Sequence, residues 1–159
     1  MEYFAEGQRR HPQMAWIAGR LDWSARQKVA VYYSEMPVPE GSGSSIECGE
    51  IELYQQGDPA RGLPSCASCH GEDGAGVGQG NPPLAQQPAP YLEKQLKLWA
   101  EGERYGDPNN AMTRISRLLT ENEMKGLANY SSALPDANAY PGPPEACLPA
   151  RRPDPRNGA

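Results

Sequence analysis

Three stretches of the chain place apolar residues at helical spacing, and no stretch alternates them at strand spacing over a useful length. The clearest lies towards the C-terminus. Thr120-Glu121-Asn122-Glu123 has the form of a capping box, and Met124, Leu127, Tyr130 and Leu134 follow at helical intervals until Pro135. A second helix is predicted over Tyr91 to Ala100, where Tyr91, Leu92, Gln95, Leu96 and Trp99 form one stripe and Gly102 supplies the stop. A shorter third runs from Glu50 to Gln56 and ends at Gly57. The expected fold class is therefore all-α.

The chain also repeats itself. A shift of 98 positions brings Met14 onto Met112, Ile17 onto Ile115, Leu21 onto Leu119 and Ala30 onto Ala128. Tyr32, Ser34 and Pro37 fall on Tyr130, Ser132 and Pro135, which makes seven identities in 24 positions. Upstream, Ala5-Glu6-Gly7-x-Arg9 matches Ala100-Glu101-Gly102-x-Arg104 with a three-residue gap. Residues 1–37 thus read as the C-terminal half of a unit whose complete copy is 46–136. Residues 38–45, rich in Pro, Gly and Ser, read as a linker. Residues 137–159 read as a Pro-rich irregular tail.

Composition adds one constraint. Only 38% of the 159 residues are apolar and one is Phe, too little to fill a large side-chain core, so a bound cofactor is expected to supply apolar surface. The net charge of −5 argues against a general nucleic-acid binder. No run approaches the roughly 18 apolar residues of a membrane span. The acidic excess sits in 38–159, where it forms a solvated surface that also suits a basic redox partner.

Cys66-Ala67-Ser68-Cys69-His70 is the C-x-x-C-H pattern of c-type haem attachment. On a helix, positions i, i+3 and i+4 share a face. Two thiols at that spacing reach the two neighbouring vinyl groups of one haem, and the histidine after them faces the iron. A zinc site would want a second pair of ligands, and only His11, Cys48 and Cys147 remain, none in paired spacing. A thioredoxin-like site would want β-α-β context, which the pattern lacks. A downstream Met is a common sixth ligand to such an iron. Met112 lies 42 residues after His70 in what reads as a polar loop, and the repeat picks it out against Met14. Met124 falls on an apolar stripe and reads as packing. The alternative for Met112 is likewise packing, with the iron left open.

The glycines of Gly71-Glu72-Asp73-Gly74-Ala75-Gly76-Val77-Gly78-Gln79-Gly80 do not fit a dinucleotide loop. They suit either a close passage of backbone beside a haem or a flexible loop. A carbonyl within Pro82-Pro83-Leu84 is placed to accept the His70 Nδ1 proton.

Gly62-Leu63-Pro64-Ser65-Cys66-Ala67-Ser68-Cys69-His70-Gly71 resembles the haem site of the dihaem class I cytochromes c of the c-four type. Pro82-Pro83-Leu84-Ala85-Gln86-Gln87, Tyr91-Leu92, Gln95-Leu96, Gly102-Glu103-Arg104, Met112 and Leu119 to Pro135 continue the resemblance over about 90 residues. It implies a class I cytochrome c fold, haem c held by Cys66 and Cys69 with His70 and Met112 as iron ligands, and electron delivery in the periplasm towards a terminal oxidase. Pro83 and Gln86 stand where the family usually carries Arg and Gly, a departure that bears on the loop and on propionate contacts. The family's other haem site and an export signal are both missing. One haem per chain is therefore expected, and a truncated or late-started chain is the simplest account of both absences. A genuine N-terminal docking half-domain is the other.

Cys48 and Cys147 then remain. They flank the haem domain and suit a disulfide, free thiols or an intermolecular bridge. The expected function is one-electron transfer between a redox donor and an acceptor, a terminal oxidase or dehydrogenase, with no substrate chemistry. The alternatives are a haem enzyme or gas sensor with an open distal site, for which His11 and Arg104 are the polar candidates, and a cytochrome subunit of a dehydrogenase or oxidase complex.

Overall fold

The computed structural model describes residues 1–37, 47–78, 80–135 and 137–148. The expected linker and the tail beyond 148 lie outside them. Eight α-helices are found among the described residues: α1 Glu2–Ala5, α2 Pro12–Ala18, α3 Trp23–Ser34, α4 Cys48–Gln56, α5 Ala67–His70, α6 Ala89–Ala100, α7 Ala111–Leu118 and α8 Glu121–Ala133. Short 3-10 turns occur at Pro59–Arg61, Pro108–Asn110, Ala137–Ala139 and Glu145–Cys147. No strand forms among the described residues; the pairing is two isolated bridges.

The predicted helices are present with small changes at their starts. In α8 the Thr120 hydroxyl accepts from the Glu123 N–H at 3.2 Å and the Glu123 carboxylate accepts from the Thr120 N–H at 2.7 Å, so two orphan donors are satisfied reciprocally. α6 begins two residues early, at Ala89, with prolines flanking its first turn where no N–H is needed. α4 also begins two residues early, at Cys48, because the Glu50 carboxylate accepts from the Glu47 N–H at 2.9 Å.

Met112 is not in a loop. It occupies the first turn of α7, whose apolar positions Met112 and Ile115, with Leu119 just past the helix end, already appear as columns of the repeat. Asp107-Pro108-Asn109-Asn110 conceals its start. Asn109 and Asn110 adopt left-handed backbone (φ 56° and 52°), which Asn tolerates better than most residues.

α4, α6 and α8 pack around one core. Its buried members include Ile51, Tyr54, Leu119, Met124, Leu127, Tyr130 and Leu134. Tyr54 is fully buried and meets the Tyr130 ring edge-on at 5.0 Å between centroids. Gly126 lies where α4 crosses α8; a Cβ there would overlap the Glu50 side chain, so the crossing needs a glycine or a displaced Glu50. Arg61 fastens the 59–61 turn to α8, with Nη2 2.7 Å from Glu123 Oε1 and Nε 2.6 Å from Asp58 Oδ2.

Helices α2 and α3 show the repeat as structure. Asp22 caps α3 and Thr120 caps α8, and the two caps are 98 positions apart. Their environments differ. Tyr130 is 4% exposed against α4, whereas its repeat partner Tyr32 is 64% exposed. Trp16 and Trp23 are likewise more than half exposed.

The N-terminal segment meets the rest at a seam made from the repeated Ala-Glu-Gly-x-Arg sequence. Arg9 pairs with Arg104 in an antiparallel bridge, so each repeated arginine faces its own counterpart. Tyr105 donates to the Gly7 carbonyl, and Arg10 lies 3.3 Å from Glu103.

Cys48 and Cys147 form a disulfide, with Cα atoms 4.7 Å apart. It joins the first residue of α4 to a turn beyond α8, across a sequence separation of 99. Cys48→Ala with Cys147→Ala is expected to lower unfolding free energy by about 2–5 kcal/mol. Urea denaturation of the oxidised protein against the double variant measures it.

Candidate functional site

The C-x-x-C-H sequence forms a single helical turn. Such a turn cannot hold itself, so its geometry comes from its flanks. Before it, Gly57 ends α4 with φ 71°, and a Cβ there would collide with the backbone of Leu63 to Ser65. Only glycine lets the chain double back under α4 at this point. Ser65 then caps the turn: its hydroxyl accepts from the Ser68 N–H at 3.2 Å.

His70 is 7% exposed. Its Nδ1 lies 2.8 Å from the Pro82 carbonyl oxygen. A carbonyl only accepts, so Nδ1 carries the proton and Nε2 presents its lone pair. Burial holds the imidazole below its ordinary pKa, partly offset by the Pro82 bond, and so keeps it in the neutral form that binds metals. The His70 carbonyl accepts from Gly76 N–H at 2.8 Å, and the next carbonyl, of Gly71, accepts from the Tyr54 hydroxyl at 2.9 Å. Burial pushes the Tyr54 hydroxyl far above its usual value, so it stays a donor.

Cys66 and Cys69 are free thiols. Cys66 is packed against the core, and burial pushes its thiol up to about 12. Cys69 is exposed. The glycines after His70 serve the loop itself: Gly74 lies against Leu134 and Ala85, Gly76 against Asn81 and Pro83, while Gly78 faces open space.

Met112 is half-buried and outside the core cluster, whereas Met124 is 5% exposed inside it. One carboxylate sets the Met112 backbone. Asp107 Oδ2 accepts from the Met112 N–H at 2.7 Å and from the Thr113 N–H at 3.4 Å. The Asp-Pro-Asn-Asn turn pattern was the available signal for this residue. Near this loop, the Trp99 indole Nε1 is buried without a partner, and Arg104 lies over the same ring at 3.7 Å.

The polar residues considered for an open distal site are engaged elsewhere. His11 Nδ1 accepts from the Met14 N–H at 3.3 Å, and Arg104 donates to Gln95 Oε1 at 2.7 Å. Among the described residues, no three His, Cys, Asp or Glu side chains converge to hold a bare metal ion.

The cytochrome c family model matches residues 53–134, from within α4 to the end of α8. The chain belongs to the cytochrome c family. The thiosulfate dehydrogenase electron acceptor of Stutzerimonas stutzeri (strain A1501) is 37% identical over 134 residues, which are 82% of this chain and 62% of that protein. The chain therefore spans less than two thirds of that relative's length. Cytochrome c4 of Thiocapsa roseopersicina is 31% identical over 130 residues, covering 79% of this chain and 67% of that one. Among solved structures, the thiosulfate dehydrogenase TsdBA of Marichromatium purpuratum superposes with a TM-score of 0.78 at 36% identity, over 94% of this chain and 33% of that one.

A cytochrome c holds haem c covalently and uses it for electron transfer. The residues of this chain fit that group: two free thiols bracket one turn, and a buried neutral imidazole follows with Nε2 available. Two bonds that hold the site can be tested directly. Tyr54→Phe is expected to cost about 1–3 kcal/mol by leaving the Gly71 carbonyl unpaired. Asp107→Ala is expected to cost about 1 kcal/mol through the lost cap of α7. Denaturant unfolding of the two variants measures both.

Proposed function

We propose that this chain is a one-electron carrier that binds one haem c, with Cys66 and Cys69 as the attachment thiols and His70 and Met112 as the axial ligands. The observation that carries the reading is the buried His70, neutral, with Nδ1 held by Pro82 at 2.8 Å on the turn that also bears both thiols. The bound haem supplies a reversible one-electron change of iron valence. The protein's part is to fix ligand orientation and to exclude water. Pro82 sets the ring plane of His70, Tyr54 fixes the turn behind it, and Asp107 presents Met112 from the start of α7.

The count of one haem rests on the single C-x-x-C-H sequence in 159 residues. Residues 1–37 are the back half of a preceding cytochrome unit, residues 46–136 the complete one. The repeat and the matching caps of α3 and α8 support that division. Donor and acceptor are redox proteins. The relatives named for thiosulfate dehydrogenase point to such an enzyme as the electron donor, with the chain acting as its acceptor or as a subunit beside it, in the periplasm. Among the described residues, no helix is long and apolar enough to cross a membrane. The engagement of His11 and Arg104 favours this reading over a gas-binding or catalytic haem.

Protein matured with covalent haem is expected to titrate as a single one-electron couple and to leave carbon monoxide unbound on mixing in the ferrous state. Met112→Ala should open the iron to carbon monoxide and lower the potential. Rapid carbon monoxide binding by the unaltered protein, or an unchanged potential in the variant, would overturn the assignment of Met112.

A further inference from the structure

Residues 137–148, which composition reads as irregular tail, are fastened to both ends of α4. Cys147 is bonded to Cys48, the first residue of that helix. Near the other end, Gln55 Nε2 donates to the Tyr140 hydroxyl at 3.0 Å. Tyr140, Cys147 and Leu148 all pack against the core. Pro141, Pro143 and Pro144 lie between the two fastenings and restrict the backbone there. The whole segment lies beyond residues 53–134, the part that the cytochrome c family model matches.

The fastening reaches the back of the haem-binding turn. Tyr54 and Gln55 are neighbours on α4, and they hold two consecutive carbonyls directly after His70. Tyr54 donates to the Gly71 carbonyl at 2.9 Å and Gln55 Nε2 to the Glu72 carbonyl at 3.1 Å. The same nitrogen reaches the Tyr130 hydroxyl at 3.2 Å, so its two hydrogens are shared among three oxygens. Glu72 is exposed, and an unheld glutamine has many rotamers that point to water. The two hydroxyls keep Gln55 in the one that meets the carbonyl. Burial, with the Tyr130 hydroxyl beside it, pushes the Tyr140 hydroxyl well above its usual value, so it stays protonated. The loop after Glu72 leads back to the histidine. The Gly74 carbonyl accepts from the Leu84 and Ala85 N–H groups at 2.8 and 3.1 Å. Those bonds tie the loop to the segment whose Pro82 carbonyl holds the His70 ring.

We propose that Tyr140 and Gln55 are positioning residues for His70, with segment 137–148 as a strap that keeps the Pro82 carbonyl on the imidazole. The inference rests on the proposed haem reading and adds to it a segment outside the family match. A hydrogen bond at Nδ1 makes an imidazole a stronger donor through Nε2. A stronger donor favours ferric iron. The strap therefore lowers the reduction potential, and loosening it raises the potential.

The test is potentiometric titration of the haem-loaded full chain and its variants, with haem content and the ferric near-infrared band recorded on the same samples. Gln55→Met removes the donor at similar length, and Tyr140→Phe removes one hydroxyl and keeps the ring in the core. Each is expected to favour the ferrous form about threefold, a rise of about 28 mV in a one-electron couple. Because Tyr140 acts through Gln55, the double variant is expected to match Gln55→Met alone. Potentials unmoved in both single variants, with haem and band intact, would overturn the positioning role alone. A fall in potential would mean that water had entered, and would overturn it too. Additive rises in the double variant, or a rise in Gln55→Met without one in Tyr140→Phe, would remove Tyr140 and the strap from the account. Absence of covalent haem in the unaltered chain would overturn the strap and the haem reading together.

Discussion

One helical turn, Cys66 to His70, brings two thiols and an imidazole together, and a turn that short cannot hold its own geometry. The rest of the haem domain depends on that constraint. Pro82 holds the ring of His70 from one side, and Tyr54 holds the following carbonyl from the other. Tyr54 can do so because α4 is pinned by the core, by its own cap and by the disulfide at Cys48. The longer helices serve as a frame for the turn that carries the chemistry.

The same logic explains why the two repeats differ. α8 and α3 share sequence and caps, yet Tyr130 is buried and Tyr32 is not. What buries Tyr130 is α4, the helix that also carries Tyr54. The described residues before α3 offer no counterpart. Its aromatic side chains Trp23, Tyr32 and Tyr33 are therefore left more than half exposed. The seam, by contrast, is made where both repeats contribute the same short sequence, so Arg9 meets Arg104.

Much of this was legible in the residues. Spacing and caps marked α6 and α8 to within two residues at each start, and Gly57 marked the end of α4. The His70 acceptor was foreseeable because a loop rich in proline leaves carbonyls without neighbouring N–H partners. α7 was not legible as a helix. Its first turn follows two left-handed asparagines and is capped from Asp107, several residues away, so Met112 looked like a loop residue. The pairing of Cys48 with Cys147 was one option among three, since spacing alone does not bring two thiols together. The seam was visible as a repeat but not as a contact, because a repeat says nothing about which copies touch.

The central claim is that His70 and Met112 together fill both axial positions of a covalent haem. The most direct measurement is the near-infrared spectrum of the oxidised, haem-loaded protein. The account predicts the charge-transfer band of methionine sulfur bound to ferric iron, present in the unaltered chain and absent in Met112→Ala. A spectrum without that band, showing high-spin ferric features instead, would contradict it.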